Sequence, residues 1–244
     1  MKAMLLAAGL GTRLRPLTSF TPKCLVPITG RPLLDIWLER LCIAGVDEFL
    51  INTHHLAKKV DDFVASSEYA PRITLIYEHV LLGTAGTLIE NLEFFDGQDG
   101  LLIHADNYCM ADFQAFFTAH ACRPAHNLLT MMTFNAIDPS QCGVVEIDAA
   151  GQVINFYEKH PNPPGRHANA AIYLLSSHLL KLMNTEFRQV RDFSTEVIPH
   201  LLGRMGTWHT EQALIDVGTP QGYAWAQEKE RERQIELAPE KRSA

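Results

Sequence analysis

Short apolar runs typical of β-strands alternate with amphipathic helical patterns along the first half of the chain, and this alternation limits the fold more than any other feature. A strand followed by a helix and a second strand forms a crossover that returns the chain parallel to its start. Repeated crossovers predict an α/β fold with a mixed, mainly parallel sheet flanked by helices. In chain order the segments are MKAMLLAA, PLLDIWLERLCIAG, EFLIN, AKKVDDFVASS, RITLIYE, GTLIENLEFF and GLLIHADN.

The pattern changes at Asn127, after which strand patterns follow one another with only turn residues between them. They predict β-hairpins that extend or cover the first sheet as a small β-rich lid. We expect one domain over residues 1–226, with residues 1–126 and 127–226 as its two halves. Residues 227–244 are expected to hold the end of a C-terminal helix and a charged tail. The strand patterns of the second half are NLLTMMTF, CGVVEID, QVINFYEKH and NAAIYLL.

Composition excludes several classes of protein. A net charge of −7 with 47% hydrophobic residues fits a globular protein, but not one whose main partner is nucleic acid. The N-terminal apolar run ends at Gly9, which is too early for a signal peptide or a membrane span, so we expect a cytoplasmic protein with no membrane partner. The 5 cysteines form no CxxC pair, which predicts reduced thiols, and the 11 histidines contain no HExxH zinc motif. The oligomeric state is left open, a homo-oligomer included.

The loop GLGTRLRPLT at residues 9–18 is a candidate phosphate site. Glycines after the first strand of an α/β sheet let backbone N–H groups approach a phosphate at the carboxyl edge of the sheet. Leu14 breaks the dinucleotide fingerprint, and no Walker Lys-Ser/Thr pair follows the glycines. Arg13 and Lys23 provide cations suited to a triphosphate. A plain glycine turn with solvated basic side chains is the alternative interpretation.

Two aspartates, Asp106 and Asp216, each follow a short apolar strand pattern. Carboxylates at strand ends face the ligand cleft of such a sheet, and Mg²⁺ prefers oxygen ligands and bridges phosphates. The pair beside a phosphate loop predicts a Mg²⁺ site. Taken singly, each aspartate could instead be a cap or a turn former.

The segment LLAAGLGTRLRPLTSFTPKCLVPITGRPLL closely resembles the signature of the sugar-1-phosphate nucleotidyltransferases, GxGTRLxPLT followed by PKxLxPI. Further blocks agree with this family in the same order, and the resemblance covers Met1 to Tyr223. It implies a Rossmann-like nucleotidyltransferase fold that joins a nucleoside triphosphate to a sugar 1-phosphate. One difference is that the family's Gly-Asp pair is Ala105-Asp106 here. The further blocks are LLGTAGTL, HADN, FYEKH, NAAIYLL and IDVGTP.

The resemblance also implies roles for individual residues. Arg13, Lys23, Asp106 and Asp216 would be catalytic, with Asp106 and Asp216 holding Mg²⁺. The residues expected to bind the nucleotide are Leu6, Ala8, Gly9, Gly11, Thr12, Arg13, Lys23, Glu78, Gly83, Thr84 and Gly86. Those expected to bind the sugar phosphate are Asn107, Gly143, Glu158, Lys159 and Asn169.

The segment EHVLLGTAGTL looks most like its counterpart in guanylyltransferases that act on mannose or manno-heptose 1-phosphate. We therefore expect GTP and a manno-configured acceptor, with the heptose preferred, in surface polysaccharide synthesis. A uridylyl-, thymidylyl- or cytidylyltransferase and a non-catalytic sensor of nucleotide sugars remain alternatives. A nucleotide-dependent dehydrogenase is disfavoured by Leu14 and by the pairing of Arg13 with Lys23.

Overall fold

The computed structural model describes residues 1–237, and its centre is a nine-stranded sheet. Two small two-stranded sheets lie outside it. The strands are β1 (Lys2–Leu6), β2 (Pro27–Ile28), β3 (Arg31–Pro32), β4 (Glu48–Thr53), β5 (Ile73–Tyr77), β6 (Gly100–His104), β7 (Asn107–Cys109), β8 (Leu129–Asn135), β9 (Gly143–Ile147), β10 (Val153–Glu158), β11 (His167–Leu175), β12 (Met205–His209) and β13 (Leu214–Asp216).

Helices flank the central sheet, and several short 3₁₀ turns lie in the connections. The sheet runs in the order β10-β9-β11-β6-β1-β4-β5, and β8 pairs with both β11 and β12. The helices are α1 (Leu33–Ile43), α2 (Ala57–Ser66), α3 (Thr84–Glu90), α4 (Phe113–Ala121), α5 (Ser177–Thr185), α6 (Phe193–Glu196) and α7 (Pro220–Leu237).

The first half of the chain forms the parallel centre of the sheet. Strand β1 lies between β4 and β6, and its last residue, Leu6, is level with Asn52 and His104. The carboxyl ends of these three strands therefore meet at one edge. The inner strands are buried because the α-helices cover both faces, which is why their sequences are continuous apolar runs rather than alternating ones.

The second half extends this sheet with antiparallel strands. β11 pairs with β6, β8 and β9, so strands from both halves of the chain share one sheet. A register shift falls between Asn169 and Tyr173, where Ala171 has φ +55° and its N–H donates to Asn169 Oδ1 at 2.9 Å. The predicted β-rich lid corresponds to the β9–β10 hairpin, which continues the central sheet.

Each face of the sheet carries a separate apolar core. Trp37 and Phe116 belong to the core on one face, and Tyr173 and Phe193 belong to the core on the other. Large apolar side chains buried on both sides of the sheet supply most of the stability expected of an α/β sheet of this size. All five cysteines are free thiols, as the sequence predicts.

The comparison with the sequence predictions is mostly favourable. The alternation of strands and helices, the four strands of the second half and the C-terminal helix are confirmed. The predicted helix GTLIENLEFF is wrong in part, because α3 ends at Glu90 and a 3₁₀ turn follows. Strands β2, β3, β7, β12 and β13 and helices α4, α5 and α6 were not predicted. Of the expected tail, residues 238–244 lie outside the described residues.

Among residues 1–237, no helix is both long and apolar enough to cross a membrane.

Candidate active site

A cavity of about 240 Å³ opens at the carboxyl edge of β1, β4 and β6. Its position follows from the parallel pairing, which brings the loops after these strands together. Most of the residues predicted to bind the nucleotide line this cavity. They are Leu6, Ala8, Gly9, Lys23, Glu78, Gly83 and Thr84, together with the predicted catalytic Asp106.

A second cavity, of about 300 Å³, adjoins the first one and shares Gly9, Lys23 and Asp106 with it. Its wall is the loop after β1, which includes a 3₁₀ turn over Thr12–Leu14 and is held by a hydrogen bond from Thr18 Oγ1 to Gly11 O at 2.6 Å. The predicted phosphate loop thus forms one side of a polar cavity. Its lining residues are Gly9, Leu10, Gly11, Thr12, Arg13, Lys23, Asp106 and Gly218.

The predicted catalytic residues form one charge cluster where the two cavities meet. Lys23 Nζ lies 2.7 Å from Asp106 Oδ2 and 3.1 Å from Asp216 Oδ1, and Arg13 Nη2 lies 3.0 Å from Asp216 Oδ2. Lys23 is 5% exposed, whereas the two carboxylate side chains are 41% and 45% exposed. The carboxylate oxygens that converge here make Asp106 and Asp216 the candidates for cation ligands.

Pairing of β7 with β13 holds the two carboxylates together, because Asp216 is level with Asn107 in this short sheet. Gly218 is the tightest point of the cluster. A Cβ at Gly218 would lie 2.4 Å from Lys23 Nζ, and the Gly218 N–H donates to Asp216 Oδ1 at 2.7 Å. Burial alone would raise the pKa of Asp216, but the charges of Lys23 and Arg13 and the Gly218 N–H hold that pKa below its usual value.

A buried hydrogen-bond network closes the other end of the first cavity. The Glu78 carboxylate accepts hydrogen bonds from Asn52 Nδ2 at 2.8 Å, from Thr87 Oγ1 and from the Leu82 N–H at 3.0 Å. Asn52 Oδ1 in turn accepts the Ala7 N–H at 2.7 Å. Glu78 therefore ties the loop after β5 to the loop after β1, on either side of the cavity.

The N-terminus of α3 is covered by a segment from the second half of the chain. The Arg191 carbonyl accepts the Ala85 N–H at 2.9 Å, and Thr84 Oγ1 accepts the Phe193 N–H at 2.7 Å. Gly83 has φ +85°, and a Cβ there would lie 2.4 Å from Arg191 O. The sequence interpretation, that Gly83 and Gly86 let a ligand come close, is therefore incomplete, since Gly83 also makes room for Arg191. Gly86 lines neither cavity.

The residues predicted to bind the sugar phosphate line neither cavity but lie at the same edge of the sheet. Gly143 is level with Glu158 in the β9–β10 hairpin, and the Glu158 carboxylate lies 3.6 Å from Lys159 Nζ. Burial raises the pKa of Glu158, an effect that Lys159 opposes. Asn169 Nδ2 donates to Tyr173 Oη at 2.6 Å, and Asn107 is largely buried against the Ala170 carbonyl. Their proposed contacts with a sugar stay predictions.

The sequence analysis missed eight residues that line the two cavities: Ala7, Leu10, Cys24, Asn52, Leu81, Thr87, His104 and Gly218. Asn52 and His104 lie at or next to the carboxyl ends of parallel strands, so the position that singled out Asp106 could also have identified them. Burial with desolvation lowers the pKa of His104, whose ring lies close to Asp106 and Lys23. Thr87 and Gly218 carry no comparable local signal.

Comparison with known proteins agrees with this architecture. A family model described as nucleotidyl transferase matches residues 2–233. A mannose-1-phosphate guanyltransferase of Eremothecium gossypii is 30% identical over 234 residues, covering 91% of this chain and 63% of that protein. A glucose-1-phosphate thymidylyltransferase of Streptomyces griseus is 28% identical over 221 residues, covering 89% and 58%.

Among solved structures, HddC from Yersinia pseudotuberculosis complexed with GMP-PN has a TM-score of 0.78 and 26% sequence identity, covering 93% of this chain and 98% of HddC. The chain spans about three fifths of the length of the curated relatives it matches. The family match over residues 2–233 means that this chain belongs to the nucleotidyl transferase family.

Proposed function

We propose that this protein transfers a nucleotidyl group from GTP to a manno-configured sugar 1-phosphate and releases pyrophosphate. The observation that carries the proposal is the cluster of Arg13, Lys23, Asp106 and Asp216 beside a polar cavity, in a chain of the nucleotidyl transferase family. Both substrates are polyanions, so a site for them needs cations and metal-binding carboxylates at the point where they meet.

The reaction needs little covalent chemistry from the protein. An oxygen of the sugar 1-phosphate attacks the α-phosphorus in line; a new P–O bond forms, and the bond to the departing pyrophosphate breaks. The attacking oxygen is already anionic, so a strong general base is not required. Arg13 and Lys23 would neutralise the triphosphate, backbone N–H groups of the loop after β1 would orient it, and Lys159 would offset the charge of the acceptor phosphate.

The carboxylates present fit a Mg²⁺ ion. Within residues 1–237, no group of three or more His, Cys, Asp or Glu side chains is arranged to hold a metal. Mg²⁺, however, is usually bound by one or two carboxylates together with substrate phosphates rather than by a complete protein cage. Asp106 and Asp216, whose oxygens converge on one ammonium group, would hold it. When bound, the ion would stabilise negative charge on the transferred phosphoryl group.

Glu78 supports the choice of guanine. This carboxylate lines the end of the cavity away from the phosphate loop, and its Oε2 accepts a single hydrogen bond, from the Leu82 N–H. It therefore retains acceptor capacity. Guanine carries two adjacent donors, N1–H and the exocyclic amine, whereas the N3–H of uracil or thymine is flanked by carbonyl oxygens that a carboxylate would repel. The HddC complex with GMP-PN agrees with this choice.

The acceptor is proposed to be mannose 1-phosphate or a manno-heptose 1-phosphate, with the heptose preferred. Glu158 and Asn169 would contact sugar hydroxyls, and Lys159 the phosphate. The name of the Eremothecium gossypii relative, a mannose-1-phosphate guanyltransferase, supports a manno sugar. The proposal also includes a cytoplasmic location, where nucleoside triphosphates are available, and a role in polysaccharide synthesis.

Pyrophosphate release tests the proposal. GTP, UTP, dTTP, CTP and ATP are each paired with mannose, manno-heptose and glucose 1-phosphates. We expect kcat/KM for GTP to exceed that for every other nucleotide by at least about tenfold, because unpaired polar groups penalise the wrong base. Glu78→Gln should reduce kcat/KM for GTP more than for the other nucleotides, whereas Glu90→Gln, on the exposed side of α3, should not. Equal or better use of UTP or dTTP would contradict the guanylyl assignment.

A further inference from the structure

The ammonium group of Lys23 lies where the oxygens of Asp106 and Asp216 converge, at 2.7 and 3.1 Å. We propose that Lys23 exchanges these carboxylates for phosphate oxygens when a nucleotide enters, so that a divalent cation binds Asp106 and Asp216 tightly only together with the nucleotide. This inference rests on the proposed function, which assigns the metal to the same two carboxylates. It adds that the binding of metal and nucleotide is cooperative and that Lys23 is the residue that couples them.

Charge balance explains why a divalent cation alone should bind weakly. Two carboxylates face two basic side chains in the cluster, since Asp216 also contacts Arg13 at 3.0 Å, and these four charges cancel. A cation entering between the carboxylates must displace Lys23. The lysine is 5% exposed, so its ammonium would lose its carboxylate partners without gaining full hydration. Leaving a buried charge unpaired is costly.

A triphosphate removes this penalty. The cavity bounded by the loop after β1 is lined by Lys23, Asp106 and Gly218, so phosphate oxygens entering it come directly against the ammonium group. Those oxygens give Lys23 and Arg13 new anionic partners and supply further ligands for the cation. Coupling of this kind is reciprocal, so the cation must increase nucleotide affinity by the same factor by which the nucleotide increases cation affinity.

Gly218 has no side chain that would obstruct such an exchange. A Cβ at this position would lie 2.4 Å from Lys23 Nζ, 2.7 Å from Asp216 Oδ1 and 2.9 Å from Arg13 Nη2. Any side chain here would press on the cluster at the point where the ammonium must move. The absence of a side chain at residue 218 therefore serves both the packing of the cluster and the movement of Lys23.

The experiment measures metal affinity in the purified full chain, with Mn²⁺ as the probe and its free concentration followed by electron paramagnetic resonance. For the wild type, Mn²⁺ should bind the protein saturated with a non-hydrolysable α,β-methylene GTP at least tenfold more tightly than it binds either the protein alone or the analogue alone. Lys23→Met should by itself tighten binding of Mn²⁺ at least tenfold in the absence of nucleotide, and adding Asp216→Asn to that variant should abolish the gain. Lys23→Gln provides a second test in case Lys23→Met is poorly folded by circular dichroism.

Lys2→Met is the matched control, because Lys2 pairs with Glu48 and Asp96 at the opposite end of β1. It should leave Mn²⁺ affinity unchanged. Mn²⁺ affinity of the wild-type complex no greater than that of the analogue alone, or no tightening in either folded Lys23 variant, would overturn the exchange. Failure of the proposed function would give a different result, because the GTP analogue would then not bind. The Mn²⁺ affinities of the wild type and the Lys23 variants without nucleotide would still test the role of Lys23.

Discussion

At the scale of single residues, the site depends on charges that compensate one another. Arg13 and Lys23 come from the loop after the first strand, whereas Asp216 comes from β13, the last strand within residues 1–237. Their contacts lower the pKa of Asp216 despite its partial burial, so this carboxylate is ionised throughout the neutral range. The two cations beside this ionised carboxylate can move to an incoming anion, and the carboxylate can then bind a metal ion. A neutral group at residue 216 could do neither.

Asp216→Asn tests the contribution of this carboxylate. We expect turnover to fall by about 10²-fold or more, because the amide is a poor ligand for a cation that stabilises the charge developing in the reaction. The fold should persist, since Asn can still accept the Gly218 N–H. Asp61→Asn, at an exposed position of α2, is the control and should retain full turnover. Near-normal turnover in a well-folded Asp216→Asn protein would reject the metal assignment.

At the scale of elements, the first turn of α3 is the point where the two halves of the chain hold the first cavity together. Backbone groups of Arg191 and Phe193 bond to the turn, and the Arg191 guanidinium donates to the Leu81 carbonyl. The glycine before the helix has a conformation that only glycine adopts easily. This element therefore joins the segment around Arg191 to the wall of the cavity.

Gly83→Ala should lower the free energy of unfolding by about 2–4 kcal/mol, since backbone strain adds to a collision with Arg191 O. It should also raise KM for the nucleotide. Gly97→Ala is the matched control: it has φ +69°, but nothing lies within 4 Å of the added Cβ. It should cost only about 1 kcal/mol and leave KM unchanged. Chemical denaturation and initial rates measure the two effects, and equal losses in both variants would refute the role of Arg191.

At the scale of the whole molecule, stability depends on a polar cluster between the two halves, away from the active site. Asp99 accepts hydrogen bonds from Arg123 Nη2 at 2.8 Å and from the Ser177 N–H at 2.7 Å, and it lies 3.3 Å from His120 Nε2. His120 is buried at the end of α4 and bonds to Thr130 Oγ1 at 2.8 Å. Burial, aided by Arg123, lowers the pKa of His120 to about 4.

The protein should therefore become less stable as the pH falls from about 6.5 to 4, because the unfolded chain protonates His120 in this window and the folded one does not. The loss attributable to His120 is roughly 3 kcal/mol at the lower end, from about 1.4 kcal/mol per pH unit. His120→Gln should flatten this part of the profile, and His178→Gln, at an exposed position, should not. Urea denaturation at several pH values measures the slope; the same slope in all three proteins would contradict the assignment.

Several features follow from the sequence by itself. The parallel centre of the sheet could be predicted because each strand and helix pattern is a local property of five to about fifteen residues. The position of the glycine loop after β1 and of Asp106 could be predicted because a glycine-rich turn or a carboxylate at the end of a parallel strand faces the carboxyl edge of the sheet. Neither inference needs knowledge of which distant segments touch.

The tertiary structure decided the rest. Strands β7 and β13 have three residues each, too few for a periodic pattern, and they exist because each supplies the other's hydrogen bonds. Their pairing alone brings Asp216 to Lys23. In the same way, no local pattern at Gly83 reveals Arg191 as its neighbour. Contacts between residues far apart in the chain are set by which surfaces pack together, and that depends on the shape of the whole fold rather than on any single segment.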